Sequence, residues 1–188
     1  MKKAIVLLAE GFEDVEAVTP VDYLRRAGIA VTIAAIGDTL SVKGSRGITV
    51  IADATLGELI AEQKTDSSLW DAVIIPGGMP GAANIIGSPE AAALIADMAS
   101  AGKFACAICA APAIVLAPLG LLDGKRFCCY PGMEDKVPAG KRTEDRVTID
   151  GTIVTSRSAG TAGEFAIAII NQLLGESEGN KIAQAVLL

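Results

Sequence analysis

Four short apolar runs recur along this chain: Ala4–Ala9, Ile29–Ile36 (IAVTIAAI), Asp71–Pro76 (DAVIIP) and Lys103–Cys109 (KFACAIC). Each has the length of a strand, and their continuous apolar character is that of strands covered on both faces. Helical patterns separate them. Glu13–Ala27 carries Val15, Val18, Val21 and Leu24 at three-residue spacing, with Gly28 as its stop. Pro89–Ser100 opens behind Ser88 as N-cap, with proline in the first turn. Ala111–Leu119 follows the fourth run, Ala162–Leu174 ends at Gly175, and Gly179–Val186 reads as a final short helix. Strands alternating with helices are βαβ units, which build a mostly parallel sheet with helices on both faces. Three smaller features are added to that frame. Val147–Ile149 and Thr152–Thr155 form a strand pair turning at Asp150-Gly151. A short strand is expected at Phe127–Tyr130, and an extra hairpin over Thr39–Asp53 around Gly44-Ser45-Arg46-Gly47. With 188 residues and neither repeat nor linker, the chain predicts one α/β domain over residues 1–188, a three-layer α/β/α sandwich.

Composition removes several classes of function. Sixteen basic against 22 acidic residues give a net charge of −6, with no long basic run, so nucleic acid and anionic membranes are poor partners. There is no histidine. Any mechanism needing an imidazole base, ligand or proton shuttle is excluded, including Cys–His and Ser–His–Asp hydrolysis and the common His-bearing metal sites. Four cysteines make no disulfide framework, and the N-terminal stretch has no full secretory h-region or cleavage site, so a cytosolic location with reduced thiols is expected. Phe104–Leu122 runs 19 residues without a charge, long enough to be weighed as a membrane span, but Pro112, Pro118 and Gly120 interrupt it. A buried strand followed by a buried helix reads the same way.

In such sheets ligands sit beyond the carboxyl ends of the strands. Cys109 ends the fourth run, and Ala110-Ala111-Pro112-Ala113 reads as a helix start. Strand, nucleophile and helix with small flanking residues follow the logic of a nucleophile elbow, and a helix N-terminus lowers a cysteine's pKa. The alternative is a buried structural cysteine. Cys106 and Cys109 are formally a C-x-x-C pair. On one extended strand their Cα atoms would lie roughly 10 Å apart, beyond the ~7 Å reach of a disulfide. Cys128 and Cys129 are adjacent, point to opposite faces of a strand, and cannot both join a zinc site; no metal is expected. Cys106, Cys128 and Cys129 read as core.

Glu13, Asp14 and Glu16 open the first helix just past the first strand. Dipole complementation accounts for Glu13 and Asp14. Glu16 differs, because Pro20 lies four residues on and removes the helical hydrogen bond to the Glu16 carbonyl. A local rule broken beside a strand end marks a functional position, and a carboxyl near a thiolate has its own pKa raised and can shuttle a proton. Pro76-Gly77-Gly78-Met79-Pro80-Gly81 matches no nucleotide-binding pattern; it offers backbone N–H groups to an oxyanion, or else makes a tight turn. Thr155-Ser156-Arg157-Ser158-Ala159-Gly160-Thr161 could supply a cation and hydroxyls to an anion, or cap the following helix.

Taken together, Leu8-Ala9-Glu10-Gly11-Phe12-Glu13-Asp14-Val15-Glu16, Pro20-Val21-Asp22 with Arg25-Arg26-Ala27-Gly28, Pro76-Gly77-Gly78, Ala107-Ile108-Cys109-Ala110-Ala111-Pro112 and Thr155-Ser156-Arg157 resemble the DJ-1/ThiJ/PfpI superfamily, most of all its DJ-1 branch and the bacterial relatives of that branch. The resemblance implies a flavodoxin-like sandwich, usually a homodimer, with no cofactor. It makes Cys109 the oxidation-sensitive nucleophile and Glu16 the carboxyl bonded to it. Gly78 and Ala110 would supply backbone amides to the adjacent oxyanion, and Arg26 and Arg46 match basic positions near the dimer-proximal pocket. Activities attributed to the family include cofactor-independent glyoxalase, protein deglycase, chaperone-like protection and oxidative sensing. Two departures matter. Tyr130 stands where the DJ-1 branch has a histidine, and Ala110 stands where the peptidase branch has one, which argues against protease or amidase activity. Ala159 also replaces a proline of that loop. The resulting expectation is a cysteine-dependent glyoxalase/deglycase-type enzyme acting on methylglyoxal-like α-oxoaldehydes or their adducts. The rival is a non-enzymatic oxidative-stress sensor or chaperone with an oxidisable Cys109.

Overall fold

The structure, a computed structural model, describes residues 1–188. In chain order its elements are β1 (Lys3–Leu8), α1 (Asp14–Arg26), β2 (Ala30–Ala35), β3 (Ser41–Lys43), β4 (Thr49–Ile51), β5 (Ala54–Thr55), α2 (Leu56–Ala61), β6 (Ala72–Ile75), α3 (Gly81–Gly87), α4 (Pro89–Ser100), β7 (Phe104–Ile108), β8 (Arg126–Phe127), β9 (Lys141–Arg142), β10 (Val147–Asp150), β11 (Ile153–Ser156), α5 (Ala162–Leu174) and α6 (Glu176–Val186). Seven strands form the central sheet in the order β10-β11-β7-β6-β1-β2-β5. All neighbours run parallel except the edge strand β10, which turns back on β11.

The central strands are apolar throughout because each face has its own core. Along β1, Ile5 and Leu7 pack on one side with α2, α3 and α4, while Ala4, Val6 and Leu8 pack on the other with α1, α5 and α6. β6 and β7 alternate in the same way, Val73 and Ile75 or Ala105 and Ala107 to the first core, Ile74 or Cys106 and Ile108 to the second. The period of two thus runs between two cores rather than between core and water. The fold is the expected three-layer α/β/α sandwich.

Three local departures have physical causes. The stretch expected to be a helix from Ala111 to Leu119 closes only one wide π-helical turn, Pro112–Leu116, in which the Ala117 N–H reaches back to the Pro112 carbonyl at 3.0 Å. Pro118, and Gly120 at φ +71°, prevent its continuation. The strand expected at Phe127–Tyr130 stops at Phe127, because the next N–H groups leave the ladder: Cys128 donates to Thr155 Oγ1 at 3.0 Å and Tyr130 to the Cys109 carbonyl at 2.8 Å. Two helices were not foreseen. α2 starts with a reciprocal Thr55/Glu58 capping box, and α3 lies within the glycine-rich segment after β6. The uncharged stretch from Phe104 is β7 followed by turns, and no helix is long and apolar enough to cross a membrane.

From β1 the chain steps to β2 on one side, and β6 returns on the other. The strand order therefore reverses between β1 and β6, and the crevice beyond their carboxyl ends is where ligands of such sheets bind.

Candidate active site

Cys109 follows β7 directly, at φ +64°, a left-handed conformation that a non-glycine residue adopts at a cost of roughly 1–2 kcal/mol. Both of its peptide groups are pinned. Its N–H donates to the Ser156 carbonyl at 2.9 Å, and its carbonyl accepts from the Tyr130 N–H at 2.8 Å. The twist turns the side chain out of the sheet toward the cavity, with 9% of the residue accessible.

Glu16 reaches the same point from the first turn of α1 and is 1% accessible. Its Oε2 accepts the Gly77 N–H at 3.0 Å, while its own N–H donates to Glu13 Oε2 at 2.9 Å, which makes Glu13 the N-cap of α1. Pro20 lies inside the same helix, one turn after Glu16. Between the two side chains sits Gly77. A Cβ there would stand 2.7 Å from Cys109 Cβ and 2.7 Å from Glu16 Oε2, so only glycine lets the thiol and the carboxyl share this space. Gly78, at φ +87°, has its free face against the Glu13 N–H and the Gly11 carbonyl.

The electrostatics of the pair follow from burial. Loss of water pushes the Glu16 carboxyl up to about 7, and the nearby Glu13 charge adds to this; the Cys109 thiol and the Gly77 and Ala159 N–H groups pull it back. Glu16 Oε1 is buried without a hydrogen-bond partner, an unfavourable place for a negative charge and a suitable seat for a proton. Burial also pushes the Cys109 thiol up, and Glu16 pushes it further, while the Ala110 and Gly78 N–H groups pull it down. The lowered thiol pKa expected from the helix start is therefore corrected: burial and Glu16 outweigh the amides. The two groups compete for one negative charge. Once the proton sits on Glu16 its repulsion disappears, and the two amides favour the thiolate.

The site opens into a cavity of about 660 Å³ that includes Cys109, Glu16, Gly78, Ala110 and Arg46 among its lining residues. Ser45, Glu13, Ser158 and Ala159 add polar and small surface, and Met79, Tyr130, Pro131 and Met133 add an apolar rim, in which Met133 has no motif to mark it in the sequence. A second cavity of about 670 Å³, beside Asp38, Glu58 and Glu90, contains no cysteine. No cluster of three or more Cys, Asp or Glu side chains offers a metal site.

Arg26 is not brought to this cavity. It lies in the last turn of α1, half exposed, with its guanidinium on Asp22 at 2.8 Å. The segment after β11 is mostly structural as well. Ser156 Oγ is shared between Thr161 Oγ1 at 2.7 Å and the Arg146 carbonyl at 2.9 Å, and Arg157 pairs with Glu144 at 3.2 Å. Asp14, read above as a dipole partner, has another task. Its buried carboxylate accepts the Arg46 N–H at 2.9 Å and the Ile48 N–H at 3.0 Å, from the hairpin loop between β3 and β4. Cys106, Cys128 and Cys129 are buried and free.

Comparison with known proteins identifies the family of the chain and agrees with its fold. The DJ-1/PfpI family profile matches residues 2–172. The chain is 37% identical over 190 residues to the "Parkinson disease protein 7 homolog" of Danio rerio, covering all of this chain and 97% of that one. It is 33% identical over 190 residues to the "Glutathione-independent glyoxalase DJR-1.2" of Caenorhabditis elegans, again with full coverage of this chain and 97% of the relative. Two Arabidopsis thaliana DJ-1 homologues, A and B, match at 38% and 36% identity over 98% of this chain, which spans only 45% and 41% of their lengths. Among solved structures, oxidized Toxoplasma gondii DJ-1 superposes with a TM-score of 0.93 at 38% identity, covering 100% of this chain and 98% of that one. A profile match over most of the chain, with these relatives and this fold, means that the chain belongs to the DJ-1/PfpI family.

Proposed function

We propose that the protein is a cofactor-independent glyoxalase that converts methylglyoxal-like α-oxoaldehydes to 2-hydroxy acids through Cys109, with related adducts as further substrates in a deglycase mode. The observation that carries this reading is the convergence of Cys109 and Glu16 on the bare face of Gly77, where an added Cβ would stand 2.7 Å from Cys109 Cβ and 2.7 Å from Glu16 Oε2. The Cys109 sulfur attacks the aldehyde carbon, and the carbonyl electrons move to an oxygen beside the Gly78 and Ala110 N–H groups. Protonation gives a hemithioacetal. Glu16, as carboxylate, takes the proton from the former aldehyde carbon and returns it to the neighbouring carbon. The first carbon is oxidised, the second reduced, and a thioester of the 2-hydroxy acid remains on sulfur. Water cleaves it, releasing lactate and the thiol. A group that titrates near 7 can serve in both directions of this transfer. A relative of similar length named as a glutathione-independent glyoxalase supports the same chemistry. Lactate formation from methylglyoxal, measured without added thiol for wild type, Cys109→Ser and Glu16→Gln, tests it. Turnover is expected only in the wild type, and undiminished turnover in either variant overturns the assignment.

A second reading, an oxidative-stress sensor or chaperone, draws on the same amides. A sulfinate on Cys109 would accept from Gly78 and Ala110 and from a protonated Glu16. Graded peroxide that adds two oxygen atoms at Cys109 alone, in a protein with negligible glyoxalase turnover, favours this reading. In either case we place the protein in a reducing cytosol, in keeping with four free cysteines, and as a homodimer. Val18 on α1 and Ile51 on β4 line one apolar groove, and Val15 is exposed one turn earlier on α1, a surface that a second copy would cover. Sedimentation of Val18→Glu against wild type tests that pairing.

A further inference from the structure

Of the seven arginines, six have a carboxylate partner: Arg25 with Asp53, Arg26 with Asp22, Arg126 with Asp145, Arg142 with Glu134 and Glu144, Arg146 with Glu164, and Arg157 with Glu144. Arg46 alone has none, and it is the one arginine on the cavity that holds Cys109 and Glu16. Its backbone is fixed although its side chain is free. The β3–β4 hairpin stands outside the central sheet, and its loop is tied down at four points. Gly11 donates to the Lys43 carbonyl at 2.8 Å, and Ser45 to the Phe12 carbonyl at 2.7 Å. The remaining two are the bonds from Arg46 and Ile48 to the Asp14 carboxylate, 3% accessible, against which Gly44 packs so closely that a Cβ would stand 2.5 Å from Asp14 Oδ1. A buried acid with no cation of its own thus holds the stem of a cation that has no acid. The other charge on the cavity wall, Glu13, is engaged as the helix cap by the Glu16 N–H.

From this arrangement we infer that the preferred substrates are α-oxoaldehydes bearing a second, anionic group. Arg46 binds that group, and Asp14 is the positioning residue that holds Arg46 at the cavity mouth. A space of about 660 Å³ is far larger than a three-carbon aldehyde needs, and leaves room for a chain between the reacting carbon and the guanidinium. The inference rests on the glyoxalase reading for its chemistry, but not for its binding.

The probes are 4,5-dioxopentanoate, an α-oxoaldehyde with a terminal carboxylate, and the uncharged 2-oxopentanal. One charge-assisted contact corresponds to about tenfold or more in kcat/KM in favour of the charged substrate in wild type. Arg46→Gln is expected to abolish that preference. Asp14→Ala is expected to reduce it through KM for the charged substrate rather than kcat, with Asp14→Asn recovering part, and with thermal melting to establish that each variant is folded. A wild-type ratio near one, or a ratio unmoved by Arg46→Gln, overturns the inference while leaving the glyoxalase intact. If neither aldehyde is turned over, the glyoxalase reading has failed, and calorimetric titration with unreactive 4-oxopentanoate and 2-pentanone decides the inference. Selective binding of the carboxylate that is lost in Arg46→Gln upholds an anion site, and equal or absent binding of both ends it.

Discussion

Cys106 and Cys109 lie three residues apart on one stretch of chain, and the fold makes them opposites. Cys106 is a strand residue with 0% accessibility, paired in register with Val154 on one side and Ile74 on the other, and burial alone pushes its thiol far up. Cys109 sits one residue beyond the ladder, where a left-handed twist swings the side chain to the cavity and brings it against a carboxyl and two amides. Both sulfurs are largely desolvated. What separates them is the neighbours that share the buried space, not exposure of the sulfur, and the proposed function places the chemistry on Cys109 for that reason.

That contrast can be broken at four levels. The largest effect is on chemistry. Cys109→Ser should lower glyoxalase kcat/KM by about a thousandfold or more, whereas Cys106→Ser should keep it within about threefold while losing about 1–3 kcal/mol of stability to a buried hydroxyl, as read by steady-state kinetics and urea melts. Gly77→Ala should come next. A methyl group wedged between thiol and carboxyl should cost about a hundredfold in turnover and about 1–3 kcal/mol of stability, and should make Cys109 as slow toward iodoacetamide as Cys106 in the folded protein.

The third level is pH. Glu16 has its folded pKa raised from 4.5 to about 7, so between those values the folded state holds a proton that the unfolded state has released. Its contribution to stability is fully present below 4.5, declines as pH rises, and is lost above about 7, a fall of about 3 kcal/mol. Relative to Glu16→Gln, wild-type stability in urea titrations should drop over that window, and alkylation of Cys109 should show an inflection near 7 in the wild type that the variant lacks. The smallest effect is in the backbone. At position 109 glycine should be more stable than alanine by about 1 kcal/mol, because the left-handed twist favours it, and at 106 the order should reverse by about the same amount. Differential scanning calorimetry of the four variants would show the reversal, and one sign at both positions would refute it.

Much of this was legible in the sequence wherever the signal was local. The apolar runs and their helical spacers carry the sandwich, and Cys109 was visible because a strand ends where small residues and a proline begin. Glu16 stood out through Pro20, a breach of helix chemistry one turn away. What could not be read depends on distance through space. Gly77 and Gly78 look alike in a glycine-rich turn, and only the approach of Cys109 and Glu16 shows why position 77 tolerates no side chain. Asp14 was hidden because an acid in a first helical turn already has an explanation, and its true partners are backbone groups more than thirty positions away. Arg26 and Arg46 matched the family pattern equally well, yet one is committed to Asp22 and the other faces the cavity. α3 escaped notice because glycine stands at both of its ends and it has no side-chain cap.

The two anchors of the Cys109 peptide, the Ser156 carbonyl and the Tyr130 N–H, both lie later in the chain than the residue they hold. During synthesis, therefore, the sulfur emerges from the ribosome well before the segments that twist it into place. Until they arrive it is an ordinary cysteine, without its acid partner locked beside it. The left-handed seat of the sulfur is thus assembled only with the last strand of the central sheet, so its pairing with Glu16 coincides with completion of the fold.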